Sequence, residues 1–203
     1  MEDAMNPYSD EKIVDSWEKN ASPWSAAVRG GYIESRKLIT DKAIVEAVLS
    51  HSPESVLDIG CGEGWLIRAL SSQVAHLVGV DVVPDLIDQA ESAGGGHFLV
   101  ASYEDIAAGA VEGLFDAVVC NFSLLGKESV EALFVAIPTI LKPGGVFIFS
   151  FGAVDVAGEH RNCVMGPEIY YSSLGVNGFV QAVMSAGAVV RHLEYDQYPQ
   201  THG

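Results

Sequence analysis

The run Val56-Leu-Asp-Ile-Gly-Cys-Gly-Glu-Gly-Trp65 constrains what this chain can fold into more than any other stretch. Val56, Leu57 and Ile59 form a short apolar run with β-branched members, which reads as a buried strand. Gly60, Gly62 and Gly64 then permit positive φ and a close approach of backbone to a ligand, and Trp65 opens a helix. A glycine turn at the carboxyl end of a strand is where open α/β sheets bind nucleotides. Taken alone it also suits a purely structural strand-to-helix turn.

The flanking pattern extends this unit. Strands are predicted at 56–59, 75–81, 97–101, 115–121 and 146–151, alternating with helices at 65–70, at 84–93 behind Pro84, and at about 128–140, with a short Ala-rich segment after 101. The strands are almost wholly apolar, so both faces of a parallel sheet are covered, and right-handed crossovers make it doubly wound. The turn Lys142-Pro-Gly-Gly145 precedes the fifth strand. Before the first strand, 9–20 reads as a short helix, followed by a covering segment broken at Pro23 and Gly30-Gly31, then a helix capped by Thr40 and stopped at Ser52-Pro53. Beyond Phe151 the pattern weakens through 166, after which 174–186 reads as a helix and 189–195 as a last strand. The expected organisation is a single domain over 1–203, with a helical cover (1–52), a cofactor-binding core (53–151) and a substrate-side insertion with the last helix and strand (152–203).

Composition narrows the partners. The chain carries 11 Lys plus Arg against 27 Asp plus Glu, a formal charge of −16, which leaves little positive surface for phosphates and argues against nucleic acid. That charge keeps a protein soluble and weakly favours cationic small molecules. No run approaches the ~18 apolar residues of a membrane helix, and the acidic stretch 1–6 lacks a signal peptide's apolar core, so a cytoplasmic protein without a membrane partner is expected. Cys61, Cys120 and Cys163 are scattered and match no metal spacing, so they are read as reduced and structural, and no metal is expected.

Three facts separate the possible ligands of the glycine turn. Trp65 stands where a dinucleotide fingerprint has its third glycine, which disfavours NAD. Asp58, two residues before Gly60, opposes a pyrophosphate but suits a positive ligand group. Asp81 ends the second strand about 20 residues after the turn, where a carboxylate can take both hydroxyls of a ribose. A ribose-bearing ligand with a cationic end and no phosphates meets all three conditions, as S-adenosylmethionine does.

Four segments in order, Val56–Trp65, Val78-Gly-Val-Asp81, Phe115-Asp-Ala-Val-Val-Cys-Asn121 and Leu141-Lys-Pro-Gly-Gly-Val-Phe147, resemble the successive motifs of class I S-adenosylmethionine-dependent methyltransferases, over roughly 50–151. The small-molecule type is the most similar, as in quinone biosynthesis. The resemblance implies a Rossmann-like sheet with S-adenosylmethionine across the ends of strands one, two and four, and S-adenosylhomocysteine as product. It implies that Asp58 and the turn with Gly60, Cys61, Gly62 and Gly64 hold the methionine part and Asp81 the ribose. Val82 would pack on adenine with Ser102 and Tyr103 near its amino edge, while Asn121 and Phe122 would face the methyl group and substrate. Structural alternatives stand beside these roles: Asp81 as a turn acid or helix cap, Asn121 as a strand-end residue, Ser102-Tyr103 as ordinary loop.

The segment before strand one also resembles the helices that close over the cofactor in such enzymes. Arg36 could pair with the cofactor carboxylate or lie on a solvated face, and Trp17, Trp24 and Tyr32 could line a substrate cage or the core. Strand four ends Asn121-Phe-Ser-Leu124, unlike the proline-rich run of enzymes that methylate adenine or amide nitrogens, so the acceptor is expected to be a small molecule, methylated on oxygen or nitrogen. A phenol or alcohol would also lose a proton, and His160, Glu159, Tyr170 and Tyr171 are the candidate bases. A non-catalytic cofactor-binding regulator and a nicotinamide oxidoreductase are the competing readings; a monomer or homodimer is expected. The family's antiparallel seventh strand has no counterpart in Gln197-Tyr-Pro-Gln-Thr-His-Gly203, so either residues are missing from this sequence or the sheet is one strand short.

Overall fold

The computed structural model describes residues 9–126, 128–151, 158–162, 169–173, 175–187 and 189–190, with backbone alone at 158–162, 169–173 and 175–176. Five parallel strands form one sheet: β1 (Ser55–Ile59), β2 (His76–Asp81), β3 (His97–Val100), β4 (Phe115–Asn121) and β5 (Leu141–Ser150), in the order β3-β2-β1-β4-β5. The expected α/β fold is therefore observed. Chain direction across the sheet reverses between β1 and β4, and the crevice at such a switch point is where these sheets take ligands.

Residue alternation sorts the strands' side chains onto two covered faces. Leu57, Ile59, Val80, Val118, Cys120, Phe147 and Phe149 pack with α5 (Tyr103–Ala107), α6 (Glu128–Ile140) and α7 (Gly175–Ser185). Val56, Ala117, Val119, Val146 and Ile148 pack on the other face with α2 (Asp41–Leu49), α3 (Trp65–Leu70) and α4 (Pro84–Ala93). Both faces being apolar is why β1 and β4 read as nearly unbroken hydrophobic runs. Phe134, Phe147, Phe149, Phe151 and Phe179 meet ring to ring on the first face, with centroids 4.6 Å apart for Phe151 and Phe179.

Several boundaries differ from the expectations. The cover is one helix, α1 (Asp10–Gly30), which runs straight through Pro23. Pro23 lacks one backbone donor, but Ile13, Ser16, Asn20 and Ala27 recur at helical spacing on a buried face, and that packing outweighs the lost bond. Ser9 caps α1 by accepting from Lys12 N–H, and Gly31, at φ +63°, ends it. Thr40 is no cap: its backbone is helical and its side chain bonds no backbone donor, because a π-helical turn, Arg36–Thr40, leads directly into α2. The turn at 142–145 lies inside β5 as an irregularity, where the pairing jumps from Leu141 opposite Phe115 to Val146 opposite Ala117. The weakly patterned insertion contains an antiparallel hairpin, β6 (Gly158–Asn162) and β7 (Ile169–Ser173), with β7 beside α1. Of the expected last strand, Val189 and Val190 have no strand conformation, and 191–195 lie outside the described residues, as does Cys163.

Asp116 ties the amino ends of three strands together. Its Oδ2 accepts from Ser55 N–H at 2.9 Å, Ser55 Oγ at 2.8 Å, Glu54 N–H at 3.1 Å and Lys142 Nζ at 2.9 Å. Lys142 first, and then Ser55, pull its carboxyl down to about 2. A lowered carboxyl stabilises the fold above its unfolded pKa of about 4, and the effect is lost as pH falls through the folded value. Asp116→Ala should cost about 1–2 kcal/mol at pH 7 in urea unfolding, since it strands two backbone donors. The gap from wild type should shrink toward pH 2; an equal gap at both pH values would mean that the charge contributes nothing.

Candidate active site

The turn after β1 is built by its glycines. Gly60, Gly62 and Gly64 have φ of +72°, +56° and +78°. At Gly60 a Cβ would lie 2.3 Å from Ser123 Cβ, so this glycine lets the loop after β4 close on β1. Gly62 faces open space, its nearest neighbour being Trp24 Nε1 at 3.9 Å. Glu63, which the motif reading passed over, is 1% exposed and bridges Arg68 Nη2 (2.6 Å) and Arg29 Nε (2.8 Å). It fastens the turn to α3 and to the last turn of α1. A lone acid between two glycines was its only sequence signal.

Two buried acids stand at the turn. Asp81 accepts from Gly62 N–H and Val83 N–H, both at 2.9 Å, which uses part of each oxygen's capacity. Burial nevertheless raises its pKa, with these backbone bonds pulling the other way. Asp58 is 2% exposed, its Oδ1 has no partner, and burial followed by the charge of Asp81 pushes it up to about 7. Burial and the same acids push the Cys61 thiol well up, so it is no nucleophile at neutral pH.

Arg36 faces this turn from the π-helical segment. Its guanidinium carbon sits 4.6 Å from the centroid of the Trp65 ring and 5.9 Å from that of Trp24, and its Nε donates to Asp41 Oδ1 at 2.9 Å. Trp65, where a dinucleotide motif has glycine, thus holds a cation. Arg36 Nη2 and neighbouring Thr40 Oγ1 are buried without partners. On α1, Trp17 and Trp24 meet edge to face at 5.3 Å and, like Val82, pack against the cluster of Ala21, Val83 and Leu86. Trp17 Nε1 and Asn20 Oδ1 are likewise buried and unpartnered.

The loop after β4 forms the opposite wall. Asn121 Oδ1 accepts from Ser150 Oγ at 2.7 Å, and Phe122 holds φ of +57°, unusual for an aromatic residue. Ser123 Oγ donates to Ile59 O at 2.6 Å, while Tyr103 OH donates to the Ser123 carbonyl. Burial is the main cause that drives the Tyr103 hydroxyl well above its usual pKa. Ser102 has a local job as well: it caps α5 in a reciprocal pair with Asp105.

One cavity of about 680 Å³ gathers these parts. It is lined by Arg36, Gly60, Cys61, Gly62, Asp81, Val82, Ser102, Tyr103, Asn121 and Phe122 of the sequence-derived set, and by Asn20, Thr40, Glu63 and Ser123, which that set lacked. Asp58 and Gly64 stand behind the turn and are not in the wall. Glu159, His160, Tyr170 and Tyr171 fall on the hairpin, His160 opposite Tyr171, with Glu159 opposite Ser172. Their side chains lie outside the described residues. Among the described residues no cluster of His, Cys, Asp and Glu could hold a metal, and no helix is long and apolar enough to cross a membrane.

Comparison with known proteins agrees with this architecture. Residues 56–145 match the family model described as "Methyltransferase domain". The ubiquinone biosynthesis O-methyltransferase of Paraburkholderia xenovorans is 35% identical over 101 residues, 48% of this chain and 44% of that protein. Its counterpart from Xanthomonas campestris is 37% identical over 100 residues, 47% and 41% of the two chains. The matched part thus spans less than half of these curated relatives. Among solved structures, the DhpI complex with S-adenosylhomocysteine superimposes with a TM-score of 0.63 at 18% identity, covering 88% of this chain and 89% of the other. An S-adenosylmethionine-dependent methyltransferase from Mesorhizobium loti gives 0.56 at 22% identity, covering 74% and 83%. The motifs in order, a strand order that turns back between β1 and β4, and the match over 56–145 make this part of the chain similar to class I S-adenosylmethionine-dependent methyltransferases.

Proposed function

We propose that this chain transfers the methyl group of S-adenosylmethionine to an oxygen or nitrogen of a small-molecule acceptor. The observation that carries the reading is the pair of buried, unpartnered polar atoms on residues that line the cavity beside the glycine turn, Arg36 Nη2 and Thr40 Oγ1. Leaving such groups unmet costs about 1–3 kcal/mol each, so a ligand of matching polarity is strongly favoured there. An amino-acid carboxylate fits Arg36 and Thr40, and an ammonium fits the negative field of Asp58 acting through the turn. Asp81 retains lone pairs for ribose hydroxyls, and Val82 with Trp17 and Trp24 offers an apolar slot for a base. Ser102 and Tyr103 are assigned to the base's amino edge.

S-adenosylmethionine supplies an electrophilic methyl on a sulfonium. What remains for the protein is to orient the acceptor and keep water out, which can provide much of the acceleration. Asn121 and Phe122 are assigned to that orienting wall, and α1 is assigned to excluding water. The cavity continues past the cofactor residues to Leu125 and Phe151, and this extra room favours an enzyme over a binding-only regulator. Oxygen is the favoured acceptor atom on the names of the curated relatives.

Calorimetry with S-adenosylhomocysteine tests the reading. Wild type should bind, and Asp81→Ala should bind about 30-fold more weakly, as expected for losing charged hydrogen bonds. Absence of binding to the intact wild type would overturn it.

A further inference from the structure

The buried acid inside the glycine turn has two arms with different reach. Glu63 is 1% exposed, and Arg68 Nη2 donates to both of its oxygens, at 2.7 and 2.6 Å. Arg68 Nη1 donates to the Glu63 carbonyl as well, so this arm is local and shapes the turn itself. The other arm is Arg29, from the last turn of α1, whose Nε donates to Glu63 Oε2 at 2.8 Å. Arg29 Nη2 also donates to Gln89 O on α4, at 3.2 Å. Arg29 is half exposed and is not part of the described cavity wall.

What Arg29 holds down is the helix that forms one side of the cavity. Ile13, Trp17, Asn20 and Trp24 line the cavity from α1 at helical spacing. A Cβ on Gly62 would have Trp24 Nε1 as its nearest neighbour, 3.9 Å away, so the helix comes down over the turn there. The apolar anchorage of α1 on α4 is small, the cluster of Ala21, Val83 and Leu86. On the same helix Trp17 Nε1, Asn20 Oδ1 and Ser25 Oγ are buried without partners among the described residues, which weakens its docking. With so little else holding it, an ion pair at the end of α1 has a large share in keeping the helix in place.

We propose, resting on the methyltransferase reading, that Arg29 is a positioning residue that sets the rate of cofactor exchange: paired with Glu63, it keeps α1 shut over the cofactor, which enters and leaves when that pair opens. Arg29 lies outside the wall, so its pair stabilises the shut helix to the same extent in the free and the loaded protein. Losing it therefore speeds entry and exit alike and leaves the affinity unchanged. Arg68 keeps its hold on both Glu63 oxygens when Arg29 is removed, so no buried charge is stranded and the fold survives the change.

Stopped-flow kinetics of S-adenosylhomocysteine with the full chain tests this, read by the fluorescence of Trp17, Trp24 and Trp65, all of which line the cavity. Arg29→Met should raise the association and dissociation rate constants together, by about fivefold each, the upper end for a half-exposed pair. Affinity measured by calorimetry should stay within about twofold of wild type. Lys19→Met removes the same charge from the same helix, but its partner Asp15 lies one turn away on α1, at 2.7 Å, so both rates should match wild type. In a Glu63→Gln background, Arg29→Met should change either rate by less than about twofold, because the partner is already gone. Wild-type rates in Arg29→Met, with or without a lower melting temperature, would make the pair structural only and overturn the proposal. A change in affinity carried by one rate alone, or a full fivefold effect that persists beside Glu63→Gln, overturns it too, since either marks a charge acting through space. Failure of the wild type to bind S-adenosylhomocysteine at all is a different outcome, which overturns the methyltransferase reading and this proposal with it.

Discussion

Gly60→Ala is expected to lower the melting temperature by roughly 10 °C, a loss of about 3–4 kcal/mol in a domain of this size. Two costs combine. The residue holds φ of +72°, where an L side chain costs about 1–2 kcal/mol. Its new methyl would lie 2.3 Å from Ser123 Cβ and 2.9 Å from Ser123 Oγ. Relieving that overlap means moving the β4 loop off β1, at about 1–3 kcal/mol, and straining the bond from Ser123 Oγ to Ile59 O. Gly62→Ala is the control: its φ of +56° carries the backbone cost, but the nearest atom is 3.9 Å away. Thermal unfolding should rank Gly60→Ala well below Gly62→Ala. Equal losses would mean that the contact with Ser123 is not made in solution.

The second large effect is a pH dependence centred on Asp58. Burial, then the neighbouring charge of Asp81, raises its carboxyl to about 7. Below about pH 4 the group is protonated folded and unfolded, so its folded-state advantage is complete. Between about pH 4 and 7 the unfolded chain releases the proton while the folded chain keeps it, and stability falls by roughly 4 kcal/mol at most. Asp58→Asn removes that slope, so the variant should be the more stable protein at pH 8 by denaturant unfolding. Binding should show the opposite preference: S-adenosylhomocysteine, with its ammonium, should bind wild type more tightly at pH 8 than at pH 6, and the gain should vanish in Asp58→Asn. An identical pH profile in both proteins would refute the assignment of Asp58 as the acid whose field reaches the ligand's positive end through the turn.

The core elements were legible because local and global signals agree in them. β1, β4, α4 and α6 have apolar runs or helical spacing, bounded by glycine or proline, and each appears at or near its expected limits. α1 runs past its expected limit at residue 20, because Pro23 is a strong local stop signal whereas the burial of Ile13, Asn20 and Ala27 on one face depends on what packs against the helix. The π-helical turn was likewise invisible, since Arg36 is held there by Trp24, Trp65 and Asp41, three partners from three different segments. The insertion after Phe151 has little periodicity, and its hairpin follows from strand pairing that no local pattern announces.

Within the site the same division holds. Spacing along the chain determined the glycine turn, the acid at the end of β2 and the residues that close β4, because each follows a strand whose direction and burial the apolar pattern dictates. Only the tertiary structure decided that Asp58 stands behind the turn with an unmet oxygen, that Trp65 cradles Arg36, that Glu63 is bound by Arg29 and Arg68, and that Asn20 and Trp17 keep buried polar atoms without partners. The physical reason is that burial, charge pairing and hydrogen-bond satisfaction depend on atoms brought together from distant parts of the chain. A sequence motif can specify the backbone that a ligand approaches; which polar atoms are left waiting for it depends on how everything else has packed.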